Sequence, residues 1–493
     1  MDFLSILILL SFILSTLLFL LLGPNLFGPK SKLPPGPTPL PILGNIHLLG
    51  RNPHRSLAKL SRTYGPLMHL RLGSITTIVA SSPEIAREIL QKHDQTCSSR
   101  AVPCVAHAMG HAEASMAWLP VGSQWRKLRK ITKEHMFTAQ KVNASEPLRQ
   151  EKLRQLRDYL VEGRGREVNF EEVAFVTALN LISTTLFSVD FASLDSHSSH
   201  EEVKEIIRGI MEITGTPNVA DFFPILRLVD PQGLKRKANV YLGKMLDKFD
   251  EIISKRLEER DKSSDCLRKK DLLEVLLDLN QEDEAYLSIH EIKHLLSDLI
   301  IAGADTTTDS VQWAMSELIR NPEKLTKAKK ELRSVIGEKA QVQENDIPKL
   351  PYLNAVIKES FRLHPPGPFL IPHEAEADLE INGYTIPRGA RILVNVWAIG
   401  RDPSVWSNPE SFEPERFVGG SVDYKGRDFG LIPFGSGRRI CPGLPLAHLM
   451  VHLMVASMIH EFDWEAQDVD MDDVFGLSLH KARPLKAFPI IKS

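Results

Sequence analysis

Cys441 stands in the run Phe434-Gly-Ser-Gly-Arg-Arg-Ile-Cys-Pro-Gly443. One thiol sits among small, turn-forming residues, with two arginines just upstream. This setting suits a thiolate that holds a metal. Gly435, Gly437 and Gly443 let the backbone turn tightly and come close to a flat cofactor. The apolar run after Pro445 can start a helix whose N-terminal dipole favours a negative sulfur. Arg438 and Arg439 offer positive charge to any carboxylates the cofactor carries. The plainer alternative is an inert buried cysteine in a glycine-rich turn.

Three further constellations carry chemistry. Ala302-Gly-Ala-Asp-Thr-Thr-Thr308 interrupts a helical pattern running from Ile289 to Arg320. A glycine, an acid and three β-branched hydroxyl residues all lower helix propensity there. The hydroxyls can compete for backbone carbonyls and loosen a turn, bringing a hydroxyl and a carboxyl to a ligand. Glu359 and Arg362 are spaced i, i+3 on a predicted helix from Leu353 to Leu363, so they share a face. Trp125 and Arg129 are spaced i, i+4, so an indole N–H and a guanidinium can reach one anion.

Together these runs resemble cytochromes P450. The cysteine run meets every fixed position of Phe-x-x-Gly-x-Arg-x-Cys-x-Gly with Phe434, Gly437, Arg439, Cys441 and Gly443. Ala302 to Thr306 resembles the family's oxygen-binding turn, Glu359 and Arg362 its Glu-x-x-Arg motif, and Trp125 and Arg129 its Trp-x-x-x-Arg pattern. Phe412-Glu-Pro-Glu-Arg-Phe417 resembles its Phe-x-Pro-x-Arg-Phe run, which supplies Arg416 as third member of a structural triad with Glu359 and Arg362. The resemblance covers essentially the whole chain, with the motifs in family order. Finer runs, among them Ala220-Asp-Phe-Phe-Pro-Ile-Leu226 and Asp230-Pro-Gln-Gly233, resemble plant microsomal terpenoid hydroxylases of the geraniol hydroxylase and ferruginol synthase group.

The resemblance implies haem b (iron protoporphyrin IX) with Cys441 as axial thiolate, a ligand whose electron donation favours O–O cleavage. It implies O2 as co-substrate and electrons from NADPH through NADPH–cytochrome P450 reductase. By the same resemblance Gly303 leaves room for haem and dioxygen, and Asp305 and Thr306 belong to a proton relay. Trp125, Arg129 and Arg439 face the haem carboxylates. Where the family usually has another arginine this chain has His373, a weaker donor when neutral. Substrate-pocket candidates are Val105, Trp118, Ala302, Phe369, Leu370 and Leu477. As a set they imply a small apolar substrate: a terpenoid, of abietane diterpenoid size rather than a monoterpenol. Outside hydroxylation, the alternatives are a haem-thiolate isomerase or dehydratase, and a haem-binding protein without turnover.

The elements that must position these groups read as one mainly α domain with minor β, the P450 fold, over residues 46–493. Leu67–Leu72 and Ile75–Ala80 flank Gly73-Ser74 and predict a hairpin. Short strands are predicted at 381–386 and 392–395, and a polar loop at 262–270. Ahead of the domain lies a proline-rich linker, residues 23–45, whose Leu33-Pro-Pro-Gly-Pro37 predicts a stiff strut. Residues 1–22 carry an apolar run, Phe3 to Leu22, about 30 Å long as a helix and so of bilayer thickness. Asp2 precedes it, while Lys30 and Lys32 follow. The charge bias predicts a single-pass transmembrane anchor in endoplasmic reticulum lipid, with the domain facing the cytosol.

The chain has 493 residues and a net charge of −2, which gives no sign of a nucleic-acid partner. Its four cysteines are too few and scattered for a disulfide framework and fit a reducing compartment.

Overall fold

The computed structural model describes Ser11 and residues 32–491, apart from 164, 195–196, 263–268 and 339. The anchor predicted over Phe3–Leu22 lies, Ser11 aside, outside the described residues, as do Cys266 and most of the polar loop predicted at 262–270.

A mainly helical body carries a small sheet at one edge. The hairpin forms as its β-branched residues predict, with Leu67–Leu72 antiparallel to Ile75–Ala80 and Leu72 opposite Ile75. Three more strands extend this sheet: Ile75–Ala80 pairs in parallel with Arg391–Val394, which pairs antiparallel with His373–Glu374. The last pairs with Ser99–Arg100 in a register that sets Arg100 opposite His373. Segments some 270 residues apart in sequence thereby meet.

The prolines of the linker do not hold a free strut throughout. The His69 amide donates to the Pro35 carbonyl at 2.9 Å. Asn45, fully buried, donates to the carbonyls of Pro37 and Thr38 at 3.2 and 3.3 Å and accepts from the Arg71 amide at 2.8 Å. The second half of the linker therefore lies along the hairpin.

The 32-residue helix Ile289–Arg320 crosses the body. At 1.5 Å per residue it is about 48 Å long. Ser288 and Glu291 close a capping box at its start, and Pro322 follows its end. The loosened turn expected around Ala302–Thr308 does not form. The Thr306 hydroxyl donates to the Ala302 carbonyl at 2.6 Å and the Thr308 hydroxyl to that of Ala304 at 2.7 Å, on a helix that stays continuous. The hydroxyls bond back one turn, sharing those carbonyls with the backbone ladder rather than opening it.

Two large apolar clusters meet along this helix. One joins its second half to the helices Pro351–Leu363 and Leu444–Glu461. The other joins its first half to Phe170–Phe187 and Leu234–Lys262. Phe170–Phe187 and Leu444–Glu461 are long and apolar enough to cross a membrane, but both are packed into these clusters. Each Leu, Ile, Met or Phe fully buried there contributes roughly 1.5–3 kcal/mol.

Candidate active site

The cysteine loop forms where its glycines allow it. The Cys441 amide donates to the Phe434 carbonyl at 2.9 Å and closes the loop. Gly437 has φ +68°, and a Cβ there would lie 2.1 Å from the Leu90 carbonyl oxygen. Only glycine fits this turn against the neighbouring segment. Phe434 meets Phe361 edge-on, ring centres 5.4 Å apart. The helix Leu444–Glu461 starts three residues after the thiol. Burial pushes the Cys441 thiol up, while the Gly443 amide, the Arg129 charge and the Leu444 amide pull it down. Those amides are the free donors of a helix start, and they point at the sulfur.

Above the thiol lies a cavity of about 360 Å³. Cys441, Phe434 and Gly443 form its floor, and Trp125, Arg129, Arg439 and His373 line one side. Arg100 joins them there. The Arg100 guanidinium donates to the carbonyls of Ile371 at 2.7 Å and Ala117 at 3.3 Å. Arg439 donates to those of Ser98 at 2.9 Å and Leu119 at 2.5 Å, and stacks over Trp125. Arg129 donates to the Ile440 carbonyl. Among the described residues no carboxylate pairs with any of the three. Burial and the charges of Arg439 and Arg129 push Arg100 well below the usual guanidinium range. Burial and Arg129 push Arg439 down to about 10. Three cations gathered without an anion raise one another's energy. The wall is therefore complementary to a ligand carrying carboxylates.

Arg438 is turned away from this wall and pairs with Asp94 at 2.7 Å. Only Arg439 of the two offers its charge to the cavity, because they occupy successive positions of the single helical turn Gly437–Arg439 and so point to different sides. His373 lines the cavity, but its Nδ1 lies 2.7 Å from the Cys97 carbonyl. Burial and the charges of Arg100 and Arg439 hold its pKa well below the ordinary value, so the ring is neutral and Nδ1 carries its proton. A charged donor beside it comes instead from Arg100, which the sequence reading missed. The two-residue pairing of Ser99–Arg100 with His373–Glu374 left no periodic signal to find it by.

The central helix forms the roof. Ala302, Gly303 and Thr306 line the cavity; Asp305, next in sequence, does not. Successive helical residues point about 100° apart, and Asp305 is turned toward the hairpin of Asp473–Phe475 and Leu479–Lys481. Its carboxylate accepts from the Ser478 hydroxyl at 2.5 Å. Burial and the neighbouring Asp309 carboxylate push the Asp305 pKa up. Gly303 meets a second demand: a Cβ there would lie 2.5 Å from Ile182 Cδ1, so the glycine also permits the close crossing of Phe170–Phe187.

Glu359, Arg362 and Arg416 come together away from the cavity. Glu359 is fully buried and pairs with Arg362 at 2.6 and 2.8 Å and with Arg416 at 3.0 Å. Arg362 spends its other N–H groups on the carbonyls of Gly400, Pro409 and Ser411. The triad ties the helix Pro351–Leu363 to the segment preceding the cysteine loop.

Of the predicted pocket residues, Trp118, Ala302, Leu370 and Leu477 line the main cavity. Val105 does not: it is 4% exposed and packs in the apolar cluster beside Phe170–Phe187. Its segment turns at Ala108–Gly110, where helical backbone angles fail. Phe369 lines a second, adjoining cavity of about 140 Å³, together with Phe222 and Phe475. Missed altogether were Ile182, Ile210, Met211 and Thr214, from two helices that carry no motif, and Asp298, whose carboxylate lies 3.3 Å from His111.

Three described cysteines, Cys97, Cys104 and Cys441, are free thiols.

A sequence model described as Cytochrome P450 matches residues 34–486. Cytochrome P450 76T24 of Catharanthus roseus is 54% identical, over 94% of both chains. A ferruginol synthase of Salvia miltiorrhiza is 48% identical over the whole of both chains. A carnosic acid synthase of Salvia pomifera is 50% identical over 93% of both.

Proposed function

The chain belongs to the cytochrome P450 family and is a monooxygenase of that family; from this premise we propose that it hydroxylates an apolar terpenoid of the abietane diterpenoid type. The observation that carries this reading is the cavity itself. A thiol below, three unneutralised guanidiniums at the side and an apolar roof suit haem b and a hydrocarbon skeleton above it. The ferruginol and carnosic acid synthases among the relatives favour a terpenoid.

Cys441 is the iron ligand in this reading, held by a rigid loop whose amides stabilise the thiolate. Arg100, Arg129 and Arg439 take the haem carboxylates, with Trp125 stacked on Arg439. Bound haem supplies oxygen activation and insertion into a C–H bond. The chain's own work is to exclude water, aim one C–H bond and deliver protons. Leu370, Leu477, Ile182 and Ala302 provide apolar walls that orient the substrate by shape. Thr306 presents a hydroxyl on the cavity face, and the Asp305 carboxylate lies behind it as the group that passes protons forward. Electrons come from NADPH through the P450 reductase, and Phe3–Leu22 anchors the protein in the endoplasmic reticulum.

The test uses membranes carrying the full chain, a plant P450 reductase and NADPH, fed with abietane diterpenes and monoterpenols. A product one oxygen heavier from an abietane skeleton is expected. Product from a monoterpenol alone overturns the diterpenoid reading. No product from either class, despite a haem-thiolate CO spectrum, overturns the terpenoid reading.

A further inference from the structure

Behind the central helix four polar side chains form one unbroken chain. His480 Nδ1 lies 3.1 and 3.0 Å from the two oxygens of Asp309. Its Nε2 lies 3.0 Å from the Ser478 hydroxyl. That hydroxyl lies 2.5 Å from Asp305. The donors and acceptors can be counted. A carboxylate only accepts, so Nδ1 must carry a proton for Asp309, and the Ser478 hydroxyl must spend its proton on Asp305. Ser478 is then left with lone pairs, so Nε2 must carry a proton too. With Asp305 protonated the same contacts would run the other way, Asp305 donating to Ser478 and Ser478 to a neutral Nε2; with Asp305 ionised they call for an imidazolium.

The environment agrees. Burial works against charge on His480, but the Asp309 charge and hydrogen bond, with Asp305 behind them, outweigh it and push the pKa up to about 10. Glu171 and Arg208 also face the cluster; Glu171 pairs with Arg208 at 2.9 Å and with Lys204 at 3.5 Å. Asp305, Asp309 and Ser478 are buried, whereas the His480 side chain is 21% exposed. Ser478 also lines the main cavity. His480 thus opens the chain to solvent, while Ser478 and Asp305 lie against the haem pocket. The hairpin is fixed there, since Trp313 Nε1 donates to the Leu479 carbonyl at 3.0 Å and the Leu479 amide to that of Pro366 at 2.8 Å.

We propose that His480 and Ser478 are positioning residues that reload Asp305 with the proton it delivers toward the cavity. This rests on the reading of Asp305 as a member of the proton relay. In the step, the His480 Nε2–H bond breaks as a new Ser478 O–H bond forms. The former Ser478 O–H bond breaks as an Asp305 O–H bond forms. The imidazolium–carboxylate pair becomes a neutral imidazole and a carboxylic acid, with no net change in charge. Asp309 keeps its hydrogen bond from Nδ1 throughout and holds the ring in place. Solvent returns a proton to His480 through its exposed edge.

The first test needs no turnover. Ring nitrogens of 15N-histidine-labelled, ligand-free protein are observed by NMR at about pH 8, between the ordinary histidine range and the value of about 10. One doubly protonated imidazole is expected, and it is the signal absent from His480→Gln. If the missing signal is that of a neutral ring, the proposal falls. The second test is kinetic, on the holoenzyme with reductase and an abietane diterpene. Ser478→Ala and His480→Gln should each divert roughly threefold to tenfold more electrons into hydrogen peroxide, as loss of one hydrogen bond in the chain would, and should enlarge the solvent deuterium effect. Wild-type coupling and isotope effect in both overturn the proposal. Asp305→Asn, measured alongside, separates the two readings. If it alone uncouples, the Ser478–His480 branch is wrong and Asp305 stands. If it too stays coupled, the assignment of Asp305 is wrong. Should His480→Gln fail to fold, Ser478→Ala carries the kinetics, and the NMR signal is assigned by its shift in that variant.

Discussion

Arg100 and His373 face each other across two strands of two residues each, and together they form the charged corner of the cavity. His373 is neutral and bonded to a carbonyl; Arg100 is charged and pairs with no carboxylate among the described residues. The positive charge needed for a haem carboxylate thus sits one strand over from where a motif would seek it.

Arg100→Ala should weaken haem retention. One charge-assisted bond contributes roughly 1.5–3 kcal/mol, so haem should leave about ten to a hundred times more readily. Haem transfer to apomyoglobin measures this. A transfer rate equal to wild type would remove Arg100 from the site.

Cys441→Ala should abolish the haem-thiolate CO spectrum while the chain still folds, because the loop is closed by its backbone bond to Phe434. An unchanged CO-bound Soret band would show that another group holds the iron.

Thr306→Ala should keep the helix, since the backbone ladder there is complete and the hydroxyl only bonds back to Ala302. Electrons should then appear as hydrogen peroxide at the expense of product. The ratio of product to NADPH consumed is the readout, and full coupling would place the relay elsewhere.

Glu359→Gln should be severely destabilising. It leaves Arg362 and Arg416 charged in a buried site with a neutral partner, a loss of about 3–5 kcal/mol. Denaturant unfolding measures it. A loss under about 1 kcal/mol would mean the triad behaves as an exposed pair does.

The His480 cluster sets a pH signature. Its pKa of about 10 lies above the unfolded value of about 6.5. A raised pKa means the folded state binds the proton more tightly, so the stabilisation is complete below about pH 6.5 and drains away as pH rises through 10. Asp305, also raised, likewise loses stability with rising pH, in the acid range. The melting-temperature gap between wild type and His480→Gln should therefore shrink steadily from neutral pH to pH 10. A constant gap would mean that His480 is not charged in the fold.

The sequence by itself determined whatever rests on local rules. The helix Ile289–Arg320 was legible from periodicity, the hairpin at Gly73-Ser74 from β-branched runs around a turn, and the cysteine loop from glycines at fixed spacing. Tertiary structure decided what depends on direction and on distant pairing. Asp305 and Thr306 are neighbours in sequence, yet helical geometry turns one to a hairpin and the other to the cavity. Val105 and Phe369 are apolar in the right segments, but the turn at Ala108–Gly110 and an adjoining cavity claim them. Arg100, Ser478 and His480 belong to no local pattern. Arg100 reaches the site because two strands too short to show a period pair across some 270 residues. Ser478 and His480 reach it because their local hairpin packs against the central helix, where buried charge has to be answered by whatever polar group lies near.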